Sequence, residues 1–318
     1  LMFGAPLPSQ AAQQIAVGKA VGPAWTFLPL NVGKEHGIFA RYGLGVNILN
    51  FRGDASLQQG LASNSIALGL GSGPAMAFAA KGAPVIAVAA FYGAPRNMAL
   101  SVAENSPIKS AKDLKGKTIG VTTQGSLTQW LVERVSLAEG WGKGGITALP
   151  IGGVPANIAA MRAGETDGLV GSFETGATLE AKHQGRILLR MGKYAPVFIT
   201  HVVFARKTFA AQHPDLVSRF LKGFFATIAF ERTHKEDTVK AAERVLHMTP
   251  AIAEKTYDQE IGGYETGGTF NLKAVAILKR SYVDLGILPT EPKNSQLFTT
   301  RFVPVKLALE HGAESVRR

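Results

Sequence analysis

The sequence predicts an α/β fold of two lobes, each a mostly parallel sheet flanked by helices, with two hinge crossings between them. Three observations predict it. Short apolar runs alternate with helical spacing from residue 15 to residue 205, the pattern of strand–helix–strand units. Leu61-Ala62-Ser63-Asn64-Ser65-Ile66-Ala67-Leu68 ends a helix and begins a strand that finishes at Gly71-Ser72. Arg162-Ala163-Gly164-Glu165-Thr166-Asp167-Gly168-Leu169 does the same and finishes at Gly171-Ser172, so two lobes share one plan. Finally, the chain beyond residue 206 is mostly helical and long enough to return and complete the first lobe.

The elements follow in order. Residues 15–18 read as a strand, and helical spacing from 26 to 36 stops at Gly37. Residues 46–51 alternate as a half-buried strand does. Gly53-Asp54-Ala55-Ser56 opens a helix to Leu61, with Asp54 as its expected cap. A strand at 66–70 is ended by Gly71-Ser72-Gly73-Pro74, and Pro74 suits the first turn of the next helix. Residues 85–91 form a strongly apolar strand. In the second unit Ser110 caps a short helix to Leu114, and 118–121 is a strand. Thr122-Thr123-Gln124-Gly125-Ser126 then leads into a helix ending near Ala138. A strand at 148–151, a helix at 155–162 and a strand at 168–170 complete the unit. After a strand at 200–205, helices are expected over 215–232, 235–246, 250–257 and 272–285. The crossings fall near 93–100 and 200–206. Residues 13–95 with 204–318 then make one lobe and 96–203 the other. A double crossing makes a hinge, and ligands sit between such lobes.

Composition narrows the function. At 46% hydrophobic and 18% charged, the chain has material for a core, and no apolar run is long and charge-free enough to span a membrane. It has no cysteine, which rules out disulfides, thiolate metal sites and cysteine nucleophiles. The formal charge of +11 comes from scattered residues such as Lys109, Lys112, Lys115, Lys117, Arg186, Arg190 and Lys193. No basic block is interleaved with aromatics, so nucleic acid is not an expected partner. Leu1-Met2-Phe3-Gly4-Ala5-Pro6-Leu7 followed by Ser9-Gln10-Ala11 reads as the end of a secretory signal cleaved after Ala11. Residues 1–12 are accordingly an expected leader, and export is expected with them.

Catalytic and metal motifs are missing. The seven histidines show no H-E-x-x-H spacing, and there is neither a G-x-S-x-G elbow nor a phosphate-binding G-x-x-x-x-G-K-[ST] loop. Gly69-x-Gly71-x-Gly73 departs from the dinucleotide pattern. No catalytic residue, metal or cofactor is expected. What remains is four turns rich in small and hydroxyl residues: Gly53-Asp54-Ala55-Ser56, Gly71-Ser72-Gly73-Pro74, Thr122-Thr123-Gln124-Gly125-Ser126 and Ser172-Phe173-Glu174-Thr175. Free N–H groups and the dipole at a helix start attract negative groups, and such turns lie where open parallel sheets bind ligands. Trp25, Phe91, Tyr92, Trp130 and Phe173 stand near them to pack an apolar part, and Arg96 to pair an anionic one. Glu174 reads two ways: as a partner for an amine or hydroxyl of the ligand, or as favourable charge at a helix start.

Several stretches resemble one family. They are Gly37-Ile38-Phe39 with Tyr42-Gly43-Leu44-Gly45-Val46, Gly53-Asp54, Lys81-Gly82-Ala83-Pro84-Val85, and Met161-Arg162-Ala163-Gly164-Glu165-Thr166-Asp167-Gly168. The most specific is Ser110-x-x-Asp113-Leu114-Lys115-Gly116-Lys117-Thr118-Ile119-Gly120-Val121; Phe209, His213-Pro214-Asp215 and Phe220-Leu221 also fit. From about residue 14 to 304 the chain resembles the sulfonate/nitrate/taurine-type periplasmic binding proteins of ABC importers, which share the thiamine-pyrimidine-synthesis-like domain. The resemblance implies a type II periplasmic-binding fold, a small-molecule ligand in the interlobe cleft, and docking onto a membrane permease. It places the contact loops at Trp25-Thr26, Asp54-Ala55, Ser72-Gly73, Gln124-Gly125-Ser126 and Ser172-Phe173-Glu174.

The expected function is a periplasmic, monomeric solute-binding component for a small anionic or zwitterionic organic ligand, sulfonate- or taurine-like, and not an enzyme. The alternative is a binding protein or enzyme for a pyrimidine or vitamin precursor on the same fold, with Glu174 or His201 as its base. The family's pyrimidine synthases carry a cysteine-rich motif that this chain lacks. A cytoplasmic sensor domain is a third reading.

Overall fold

A computed structural model describes residues 12–307 of the chain. All but Ala12 of the expected leader lies outside the described residues. Ten strands form two five-stranded sheets: β1 (Gln13–Lys19), β2 (Leu44–Asn50), β3 (Leu68–Ser72), β4 (Val85–Tyr92), β5 (Met98–Val102), β6 (Thr118–Val121), β7 (Thr147–Pro150), β8 (Gly168–Ser172), β9 (Arg186–Arg190) and β10 (His201–Arg206). The first sheet runs β2-β1-β3-β10-β4 and the second β7-β6-β8-β5-β9. In each, four strands share one direction and the fifth runs antiparallel between two of them. The antiparallel strand is in each case the first strand after a crossing: β5 after the first, β10 after the second. The echoed segments end in β3 and β8, which hold equivalent places in the two sheets.

Two strands escape the sequence reading. Met98–Val102 is fully buried, and its first residues fall within the expected crossing. Arg186–Arg190 is an edge strand whose terminal arginines read as surface charge. The return crossing is also shorter than expected. All of His201–Arg206 pairs within the first sheet, so the segment between lobes ends at Thr200. The two crossings touch: Thr200 N donates to Tyr92 O and Gly93 O, each at 3.0 Å, and the Thr200 hydroxyl donates to Gly93 O.

The core of the first lobe is strand β4, buried at every position, with Phe220, Phe224 and Phe225 of the helix Pro214–Thr233. The amphipathic spacing of that helix, opened by Pro214 in its first turn, turns those rings inward. The C-terminal helices reach both lobes. In Leu272–Asp284 the Tyr282 hydroxyl donates to Gly73 O at 3.0 Å, while Ser281 Oγ accepts from Trp130 Nε1 at 2.8 Å. Ile252 of Pro250–Glu260 packs on Phe173 and Ala177.

Gly73 allows these elements to meet. A Cβ there would lie 2.0 Å from Ile199 O, a backbone atom of the return crossing. Gly73→Ala therefore must displace that crossing and is expected to destabilise the protein by about 1–3 kcal/mol, the range for overpacking a tight interior. Denaturant unfolding checks this, and an unchanged midpoint would refute it.

Candidate functional site

The carboxyl ends of β1, β3, β6 and β8 face one another across the lobes, and a cavity of about 60 Å³ lies between them. The first lobe lines it with Ala20, Thr26, Phe27, Gly53, Asp54, Ser72 and His201. The second contributes Met98, Thr122, Leu127, Thr128, Val154, Asn157, Leu169, Val170 and Ser172. The lining is largely apolar. It contains no lysine or arginine. Lys19, at the end of β1, is buried but donates to Asn31 Oδ1 at 3.2 Å, and burial lowers its pKa to about 8. His201 is enclosed by Phe27, Phe91 and Tyr92, and burial lowers its pKa to about 3, so it is neutral at physiological pH.

The turns are not the open anion cradle their sequence suggests. Ser72 N donates to Asp54 Oδ1 at 2.9 Å, and Ser72 Oγ to Asp54 Oδ2 at 2.8 Å. Leu127 N, at the start of the helix Leu127–Ala138 on the other lobe, donates to Asp54 Oδ2 at 3.4 Å. Ala55 N donates to Thr123 Oγ1, again across the cleft, and Thr122 N to Thr128 Oγ1. Gly73 N, Gly125 N, Ser126 N and Phe173 N donate to Thr200 O, Gln129 Oε1, Thr123 O and Asn97 O. Asp54 is thus no helix cap, because Gly53 holds that place with φ +135, a conformation glycine adopts freely. Burial raises the Asp54 pKa against the opposing pull of these hydrogen bonds.

A second contact closes the lobes. Glu174 Oε1 accepts from Trp25 N at 2.8 Å, and Asn97 Nδ2 donates to Thr26 Oγ1 at 2.7 Å. Glu174 Oε2 and both carboxyl oxygens of Glu260 are buried without a well-formed hydrogen bond, with the Ser172 and Thr26 hydroxyls beside them. The two carboxyls face each other. Burial pushes both pKa values up, and the charge of Glu174 adds to the rise at Glu260. Both shifts favour a proton shared between the two carboxyls.

The profile of the family described as NMT1/THI5 like matches residues 25–236, about two thirds of the chain. The chain belongs to this family. Among curated relatives, a protein of Bacillus subtilis (strain 168) named "Putative aliphatic sulfonates-binding protein" is 24% identical over 276 residues, covering 82% of each chain. Two solved structures share the fold. The alkanesulfonate-binding protein SsuA of Xanthomonas axonopodis pv. citri, bound to MOPS, aligns with TM-score 0.76 at 19% identity, covering 92% of this chain and 96% of that one. The periplasmic aliphatic sulphonate binding protein SsuA of Escherichia coli aligns with TM-score 0.73 at 20% identity, covering 96% and 97%. The α/β two-lobe architecture is that of the periplasmic binding proteins.

Of the residues singled out in sequence, Thr26, Asp54 and Ser72 line the cavity of this NMT1/THI5-like chain. Ala55 and Glu174 instead join the lobes, and Gly73, Gly125 and Ser126 shape the turns around the cavity. Trp25, with Phe91, Tyr92 and Trp130, is fully buried packing. Phe173 lies under the Arg190 guanidinium, 4.1 Å from the ring centroid. Gln124 and Arg96 are exposed and outside the lining. Arg96 turns outward because it sits on the crossing itself, packed on Gly192. The sequence reading missed Asn157, Thr128 and Met98, which lie inside ordinary helical and strand patterns; Thr122 and Ser172 were visible as turn residues.

The buried carboxyls give a signed pH dependence. The unfolded chain releases the Glu260 proton near the ordinary value of 4.5, while the folded chain keeps it to a higher pH. Stability from that proton is complete below the ordinary value and is lost as pH rises through the folded one. Glu260→Gln keeps a donor without the titration. Its melting temperature relative to wild type should rise between pH 5.5 and pH 8; a pH-independent difference contradicts this.

Proposed function

We propose that this chain is the solute-binding component of an ABC import system. It captures a small anionic or zwitterionic organic solute, of the sulfonate- or taurine-like class, between its lobes. The observation that carries the reading is the cavity lined from both sheets at the strand ends, in a chain of this family. The names of the Bacillus, Xanthomonas and Escherichia relatives support the sulfonate class.

In this reading residues 13–95 with the chain from 201 onward and residues 96–200 move as the two lobes, hinged where the crossings meet at Gly93 and Thr200. The protein is exported, works as a monomer and delivers its solute to a membrane permease without changing it. Thr26, Asp54 and Ser72 contact the solute, joined by Thr122, Thr128, Asn157, Ser172 and His201. The apolar lining holds an aliphatic body.

A solute that binds only the folded protein stabilises it, by about 2.7 kcal/mol at a hundredfold excess over Kd. Thermal unfolding against a panel of sulfonates, carboxylates, amines and amino-sulfonates should therefore show a concentration-dependent rise in Tm for at least one class, with the solute recovered intact. No rise across the panel, or recovery of a converted product, would refute the proposal.

A further inference from the structure

We infer, on the solute-binding reading above, that Asp54 sets the specificity of the cleft: it takes solutes bearing a protonated amine and rejects anions that lack one. An anion removed from water needs a fixed cation or unengaged donors. The cavity offers no lysine or arginine, Lys19 is turned to Asn31, and Arg96 is exposed outside the lining. Of the backbone donors that the sequence assigns to an anion, those of Ala55, Ser72, Gly73, Gly125, Ser126 and Phe173 are engaged by the protein's own acceptors.

The place of the bound anion is held by the Asp54 carboxyl group itself. Three donors fix it, two from Ser72 and one from Leu127 of the opposite lobe. Burial raises the Asp54 pKa, and these three hydrogen bonds act against that rise in favour of the ionised form. A carboxylate has about four acceptor sites, so three donors do not exhaust it. Asp54 lines that cavity, 4% exposed, with neutral His201 also in the lining. An incoming anion would meet a like charge in a poorly solvated space. An ammonium group would fill the remaining site with a charge-assisted hydrogen bond and neutralise the only formal charge in the lining. A zwitterion satisfies this through its amine, and a simple amine satisfies it as well.

Titration calorimetry of the full chain tests the inference with pairs of sulfonates and carboxylates of equal length that differ only in a terminal amine. The amine-bearing member should bind at least about tenfold more tightly. Its affinity should fall in acid, as Asp54 protonates. In Asp54→Asn the preference should disappear. The wild-type pairs decide the question even if that variant does not fold. Equal or tighter binding of the amine-free members overturns the inference and leaves the solute-binding reading intact. So does a preference that persists in a folded Asp54→Asn protein. Binding by no solute of any class overturns both.

Discussion

A carboxyl group buried between two lobes must find donors, and Asp54 finds them on both. Its Ser72 partners belong to its own sheet and its Leu127 partner to the other. The closed arrangement of the cleft depends on this. The Gly53 backbone delivers Asp54 to the cleft, and a Cβ at Gly53 would collide with Thr123 of the facing lobe. Ala55 N then donates to that same Thr123, so the approach of the lobes is set by one glycine and two hydrogen-bonded side chains.

The opposite side of the cleft uses the same device with a different balance. Glu174 reaches Trp25 N across the lobes, but its second oxygen faces Glu260 rather than a donor. Burial favours a proton there, which would turn an electrostatic conflict into a hydrogen bond. Glu260 belongs to the returning C-terminal helices, so the segment that completes the first lobe also rests on the second. Trp130 on Ser281 and Ile252 on Phe173 are further contacts of this kind.

Much of the architecture was legible in the sequence because it is carried by local patterns. Strand β4 and the helix Pro214–Thr233 announce themselves by continuous burial and by helical spacing. The repeated passage into Gly-Ser at Ser72 and Ser172 gave the shared plan of the lobes. Strands β5 and β9 were hidden, one inside a crossing and one between arginines, since only tertiary pairing makes them strands. The site was less legible for a related reason. Small residues at helix starts are read as open donors, but whether an N–H is open depends on acceptors distant in sequence. Leu127 N is closed by Asp54, 73 positions away, and Trp25 N by Glu174, 149 positions away. Local sequence therefore located the cleft but not which of its donors are already engaged.

Capture requires that the lobes separate and close on a solute. The absence of native cysteine allows spin labels to be placed by Arg52→Cys and Gln124→Cys, at exposed positions on facing turns of the two lobes. Pulsed electron resonance between them measures the opening directly. The account predicts a longer, broader distance distribution without solute and a shorter, narrow one with saturating solute. A distribution unchanged by a solute shown to bind would contradict it.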